Sequence, residues 1–299
     1  MPFFKYTAYA VGGSLLVALA LGTALYLRGY DRAHQTVAVT PNVQSVTVNS
    51  ALLARGEHLS RTLGCRHCHG NRLEGTVVTD APPFRLTATN LTTGAGGVGA
   101  RYTTADWARA IRHGIGPDGE PLIGMPSKSF HALSDRDLRA LIAFLQKMPP
   151  VDNPLPPTTV KTMGYLLIGT GQVNVTANVV RSTQHPAPVP VAATVEYGEY
   201  LYGATCRDCH RPDLRGGPHP DPAGVPVPSL QAAGTWSYTA VQRAITDGIS
   251  VDGDSLDDKW MPWSAFRHLT EAEVRALYRF LQRRAAEGPD PTASTTSSD

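Results

Sequence analysis

Cys65-Arg66-His67-Cys68-His69 and Cys206-Arg207-Asp208-Cys209-His210 are the two stretches whose residue types and spacing can do chemistry. In C-x-x-C-H the two thiols lie on one side of a turn, placed to form thioethers to the vinyl groups of a haem, and the adjoining histidine reaches the iron. A single copy favours haem, with a redox C-x-x-C or half of a zinc site as the alternatives. The second copy argues against both, because the chain has only four cysteines and all of them lie in the two motifs. No thiol remains for a separate disulfide or a further thiolate ligand. Two covalently bound haem c groups are therefore expected, Cys65 and Cys68 attaching one and Cys206 and Cys209 the other, with His69 and His210 as axial ligands.

An iron that carries electrons also needs a sixth ligand, and a methionine thioether favours the reduced state. In the first half Met125 competes with His113, His131 and Met148 for that place, and in the second Met261 competes with His219 and His268. A methionine taken singly is more often core filler. An internal repeat separates the candidates. Residues 124–146 align without a gap on 260–282 with ten identities in 23 positions, including Met125/Met261, Pro126/Pro262, Phe130/Phe266 and Leu133/Leu269. Of five methionines only Met125 and Met261 recur, each followed by proline, 56 and 51 residues after His69 and His210. They are the expected sixth ligands. The Nδ1 proton of each axial histidine needs a carbonyl acceptor, expected from Pro82-Pro83 for His69 and from Pro228 for His210. Trp260 and Trp263 flank Met261, whereas Gly124 and Ser127 flank Met125, which predicts two unequal potentials.

Helices must position these groups. Ser50 can cap a helix carrying Leu52, Leu53, Gly56, Leu59 and Leu63 and ending at Gly64, which delivers the first motif. Thr103 with Asp106 starts another, with Trp107, Ala110 and Ile111 on one face and Gly114 as its stop. Ser134 with Asp137 starts a last one, whose Leu138, Leu141, Ile142 and Leu145 form a narrow apolar face able to cross the first helix at Gly56. The second half repeats the scheme with Gly198 before its motif, the Thr270/Glu273 cap, and Val274, Leu277, Tyr278 and Leu281. Gly94, Gly96 and Gly99 match G-x-G-x-x-G, but no apolar strand precedes them and a separately capped helix follows, so a dinucleotide loop is not expected.

The organisation of the chain follows from its length of 299 residues, enough for about two domains. Thr7 to Leu27 is an uncharged run of 21 residues, which as a helix spans about 31 Å, one bilayer crossing. Phe3, Phe4, Tyr6 and Tyr9 at one end and Tyr26 and Tyr30 at the other suit interfacial girdles. An uncleaved membrane anchor over 1–30 is expected, with a cleaved signal peptide as the alternative. Lys5 opposes Arg28 and Arg32, so basic residues do not orient the helix. Haem attachment to C-x-x-C-H takes place outside the bacterial cytoplasmic membrane, which sets the rest on the periplasmic side. An extended stalk is expected over 31–49, a first haem domain over 50–150, a Pro-rich linker over 151–194, a second haem domain over 195–285 and a disordered tail over 286–299. Within the linker, residues 158–182 turn apolar around Tyr165-Leu166-Leu167-Ile168 and read as a strap over one or both domains, or as a docking surface. Twenty-eight glycines and 24 prolines imply many ordered loops, and a formal net charge of +2 excludes nucleic acid as a partner.

Together these features resemble class I c-type cytochromes: C-x-x-C-H after an N-terminal helix, Met-Pro in a late loop, then a capped C-terminal helix, twice over. More narrowly, Asn90-Leu91-Thr92 before the glycine-rich loop, Arg109-Ala110-Ile111, and Met125-Pro126 through Leu133-Ser134-Asp135 look like the multihaem cytochrome subunits of periplasmic alcohol, sugar-acid and aldehyde dehydrogenases. Those subunits often carry three haems and a C-terminal anchor, where this chain has two motifs and an N-terminal apolar run. The resemblance implies a mainly α fold, an N-terminal transmembrane helix followed by two tandem class I cytochrome c domains. It implies a membrane-tethered dihaem carrier that relays single electrons between redox protein partners, either a membrane complex or a periplasmic dehydrogenase or oxidase. No catalytic residue and no small-molecule substrate of its own are expected. A dihaem peroxidase, with His131 or His268 above an open iron, and a tethering subunit that carries no electrons are the alternatives from other classes.

Overall fold

The computed structural model describes residues 2–41, 43, 47–176, 179–219 and 224–288. Its first element, α1 (Pro2–Ala33), continues three residues beyond the expected anchor, so Asp31 to Ala33 are helical rather than extended stalk. The chain that follows is docked: Val37 donates its amide to the Gly119 carbonyl at 2.8 Å and is buried.

Helix α2 (Ser50–Thr62) is capped by Asn49, whose side chain accepts from the Leu52 amide at 2.8 Å. Ser50, expected at the cap, is the first helical residue, because asparagine one position earlier serves equally well. The first motif forms a single turn, α3 (Cys65–His69). A hairpin follows within the mainly helical fold: β1 (Thr76–Asp80) pairs antiparallel with β2 (Phe84–Ala88) around Pro82-Pro83. The run of threonine and valine in β1 suits an extended conformation. Helix α4 (Thr104–Ala108) has the expected Thr103/Asp106 capping box, passes into a π-helical turn at Arg109–His113 and stops at Gly114 in the left-handed region. Helices α5 (Ser127–Phe130) and α6 (Asp135–Leu145) complete the first half, with Leu138, Leu141, Ile142 and Leu145 all buried.

The segment expected as a strap adds β3 (Thr159–Val160) to the edge of β2 and then forms α7 (Thr162–Thr170). This helix lies on the last turns of α1. Gly29 faces the Tyr165 carbonyl and Gly169 the Leu25 backbone, both too closely for a side chain. Arg32 donates to the Ile168 carbonyl at 3.2 Å, and Ala33, Ile168 and Val175 form a small buried cluster.

The second half follows as α8 (Val195–Thr205), α9 (Arg207–His210), α10 (Tyr238–Thr246), α11 (Trp263–Phe266) and α12 (Glu271–Glu287), the last opened by the Thr270/Glu273 capping box. Of the expected tail, 286 and 287 are helical and 289–299 lie outside the described residues. Two glycine-dependent crossings organise the halves. α2 meets α6 where Gly56 lies against the Ala140 carbonyl, and α8 meets α12 where Gly198 lies against that of Ala276. Residues of both halves share one hydrophobic cluster, from Leu59 and Trp107 to Tyr197 and Leu277.

Candidate functional site

Each C-x-x-C-H is a turn of helix set directly behind a longer one. Gly64, at φ 73°, makes the reversal between α2 and α3, a conformation glycine adopts without strain. All four cysteines are free thiols. Burial pushes the Cys65 thiol up to about 12 and that of Cys206 up to about 11, and raises Cys68 and Cys209 as well. The shift at each thiol is upward, opposite to that of a redox-active pair.

The axial histidines are oriented by backbone. His69 Nδ1 lies 2.7 Å from the Thr89 carbonyl and His210 Nδ1 lies 3.1 Å from that of Pro228. The second contact is as expected, and the first corrects the assignment to Pro82-Pro83. The hairpin carries those prolines away to its own turn, where the Pro83 carbonyl accepts from the Lys161 amide. Thr89 follows directly on β2. Burial lowers the pKa of both rings, against a smaller upward pull from the carbonyl contact. A neutral imidazole with its proton on Nδ1 presents the Nε2 lone pair, the form that ligates a metal.

The surrounding loop is built twice. Gly75 donates to the His69 carbonyl as Gly216 does to that of His210, and Leu91 donates to Leu73 as Leu230 does to Leu214. Leu73 and Leu214 are buried with φ of 62° and 63°, a conformation that costs a side-chain-bearing residue about 1–3 kcal/mol. Strain repeated at matched places beside both motifs marks a shape the core must hold. Matching Thr89-Asn90-Leu91 to Pro228-Ser229-Leu230 would have found the acceptor, since a carbonyl requires no particular side chain.

The methionine loops also match. Ser127 donates to the Met125 carbonyl at 2.8 Å and Trp263 to that of Met261 at 2.7 Å, and both methionines are half-buried. Cys65, Met125 and Cys206 pack against the shared core. The rivals are occupied elsewhere. His113 is fully buried with Nδ1 on the Val180 carbonyl, and its ring meets those of His131 and His185 at 5.9 and 6.3 Å. Met148 packs beside the same core after α6. His219 stacks edge-on to Trp260 at 5.2 Å, and His268 is exposed at the end of α11. The G-x-G-x-x-G segment wraps the backbone of 151–154, with Gly94 and Gly96 in close approach, and Asn90 Nδ2 ties it to the Val151 carbonyl at 2.8 Å. It is a structural turn.

Sequence reasoning missed the contacts between halves. Arg55, which forks onto Asp137 of its own half at 2.8 and 2.9 Å, reaches Glu273 of the other at 3.3 Å, while His58 lies 2.8 Å from Glu273. Burial alone would raise the Glu273 carboxyl, but hydrogen bonds from His58 and the Thr270 amide and the charges of His58 and Arg55 bring it down to about 2.

Two turns with paired free thiols, a neutral histidine held through Nδ1, and a matched methionine loop fit a covalently attached haem. Comparison with known proteins agrees. Residues 51–145 and 193–281 match the family described as cytochrome C oxidase, cbb3-type, subunit III. The cytochrome c subunit of a quinone alcohol dehydrogenase from Gluconacetobacter polyoxogenes is 28% identical over 285 residues, covering 84% of this chain and 59% of that one. A fructose dehydrogenase cytochrome subunit from Gluconobacter japonicus is 32% identical over 151 residues, 48% of this chain and 30% of its own. A gluconate 2-dehydrogenase cytochrome c subunit from Pantoea cypripedii is 35% identical over 105 residues, 32% of this chain and 23% of its own. The chain thus spans well under two thirds of the length of these relatives. A cytochrome c domain carries its haem c covalently.

Proposed function

The chain belongs to the family described as cytochrome C oxidase, cbb3-type, subunit III, and from that premise we propose that it is a membrane-tethered dihaem cytochrome c relaying single electrons from a dehydrogenase partner. Its two haem-bearing units are 50–150 and 195–285, in tandem. Cys65 and Cys68 attach one haem and Cys206 and Cys209 the other, with His69 and Met125, and His210 and Met261, as the axial pairs. Each haem supplies a one-electron couple that changes little in coordination as it cycles. The protein holds each histidine ring through the Thr89 or Pro228 carbonyl, supplies a thioether from a loop anchored on the core, and excludes water with buried Leu73 and Leu214.

The observation that carries this reading is the duplication of both halves of an axial pair: two Nδ1-anchored histidines and two Met-Pro loops of the same local geometry. A saturated pair at each iron leaves no face for a substrate, which favours a carrier over a peroxidase. The dehydrogenase partner is inferred from the relatives, which are named as cytochrome subunits of such enzymes. The tether is Tyr9–Ala33, 25 residues that contain an 18-residue stretch of mean hydropathy 1.9. Packing of α7 on its last turns favours an anchor that stays with the folded protein over a signal peptide that is removed. The haem-bearing halves then lie on the periplasmic side of the cytoplasmic membrane.

Met125→Ala and Met261→Ala test the assignment one site at a time. Each is expected to convert one haem of the pair to high spin and lower its potential, leaving the other unchanged. Unaltered spectra in either variant refute that ligand.

A further inference from the structure

We infer that the two halves meet as an internal isologous pair that sets each haem-attachment turn against the methionine loop of the other half, coupling the two iron sites through Asp208 and Asp258. The inference rests on the dihaem reading above. It begins with equivalent positions. Gly56 and Gly198 make the same crossing in α2 and α8, and Asp137 and Glu273 are both the third residue of their helices. On that register Arg55 corresponds to Tyr197 and His58 to Tyr200.

The contacts then fall into matched sets. Within each half, Arg55 binds Asp137 and the Tyr197 hydroxyl lies 3.1 Å from Glu273. Between halves, His58 lies 2.8 Å from Glu273, and the Tyr200 hydroxyl donates to Asp137 at 2.7 Å. Arg55 meets its own counterpart, donating to the Tyr197 hydroxyl at 3.1 Å. Contacts that recur with the halves exchanged, around a pair that meets itself, are the mark of a two-fold face. This face is largely buried and clamped by charged hydrogen bonds, so it holds one geometry.

The same face reaches the iron sites at both ends. At one end Ser129, four residues past Met125, donates to the carboxylate of Asp208 inside the second C-x-x-C-H. At the other end His67, inside the first, stands 3.9 Å from the carboxylate of Asp258, three residues before Met261. Asp208 and His67 hold the same place in their motifs, but their partners differ: Ser129 follows its methionine, whereas Asp258 precedes its own and also accepts from the Ser264 amide and hydroxyl. Each carboxylate is half-buried and joins one half's attachment turn to the other half's ligand loop. A partly buried negative charge is weakly screened by salt and favours the more positive, oxidised iron. One carboxylate therefore acts on two sites.

The test uses the holoprotein in a spectroelectrochemical titration that resolves two one-electron waves. Haem content is measured first on the unaltered protein, and fewer than two haems overturns the dihaem reading itself. With two haems present, Asp208→Asn is expected to move both waves to higher potential, and Asp208→Glu to restore them. Because Asp208 lies in the attachment motif, Asp258→Asn, outside both motifs, is titrated alongside and is also expected to raise both waves. If each substitution moves one wave only, or neither, the coupling is refuted while the dihaem reading stands.

Discussion

Gly56→Ala probes the crossing on which the first haem-bearing half depends. The added methyl would lie on the Ala140 carbonyl oxygen and 2.6 Å from the Phe144 Cβ. Carbon atoms in contact prefer about 3.5–4.0 Å, so α2 must withdraw from α6 by about 1 Å along a buried seam. Overpacking of this kind costs about 1–3 kcal/mol. The opposing atoms are mainly helix backbone, which cannot swing aside, so the upper end applies. Replacing glycine by alanine inside a helix gives back about 1 kcal/mol. A net loss of about 2 kcal/mol is expected, and Gly198→Ala should behave alike, since its methyl would meet the Phe280 Cβ at 2.9 Å. Gly203→Ala, in the last turn of α8, is the control: the nearest atom outside its own helix is the Ala132 Cβ at 3.8 Å, an ordinary contact. That variant should be as stable as the parent, or more so by up to about 1 kcal/mol. Guanidinium unfolding of the holoprotein, followed by haem absorbance, reads all three as midpoints. Should Gly56→Ala match Gly203→Ala, the close crossing is not what holds the half together.

Two further outcomes follow from contacts between elements. The Glu273 carboxyl falls from 4.5 to about 2 on folding, so its contribution, about 3 kcal/mol, is fully present above pH 4.5 and is lost as pH falls toward 2. Glu273→Gln should remove that loss from a plot of urea midpoint against pH, and a parallel curve in the variant contradicts the assignment. Gly169→Val would drive a side chain into the Leu25 backbone, 2.8 Å away at its carbonyl carbon, and should release α7. Limited proteolysis is expected to cut within 158–182 while the haem spectra stay as they were, and continued protection there argues against the packing of α7 on α1.

The candidate site was legible in the sequence because haem attachment demands particular side chains at fixed spacing. Each C-x-x-C-H motif forms a helical turn behind a longer helix, and the capping signals at Thr103 and Thr270 open the helices they announced. At Ser134 the pattern is half fulfilled. Its hydroxyl caps Asp137, but the Asp137 carboxylate is drawn to Arg55 and Tyr200, and the Tyr200 hydroxyl takes the Ser134 amide instead. Both oxygens of Asp137 are taken by Arg55 and Tyr200, whereas Glu273 reaches back to Thr270 and still accepts from His58. The Thr89 acceptor was hidden because a carbonyl carries no side-chain signature. The hairpin at 76–88 was hidden among glycines and prolines, and the α1–α7 crossing joins segments more than 130 residues apart through two glycines. Long-range pairings of that kind leave no local period to read.

The central claim is that both motifs carry a haem and that each does so independently. Intact mass under denaturing conditions tests it most directly, on the unaltered protein and on the pair of variants Cys65→Ser/Cys68→Ser and Cys206→Ser/Cys209→Ser. The account predicts two covalently attached haems in the first and one in each variant. A single haem in the unaltered protein, or a variant that keeps both, would contradict it.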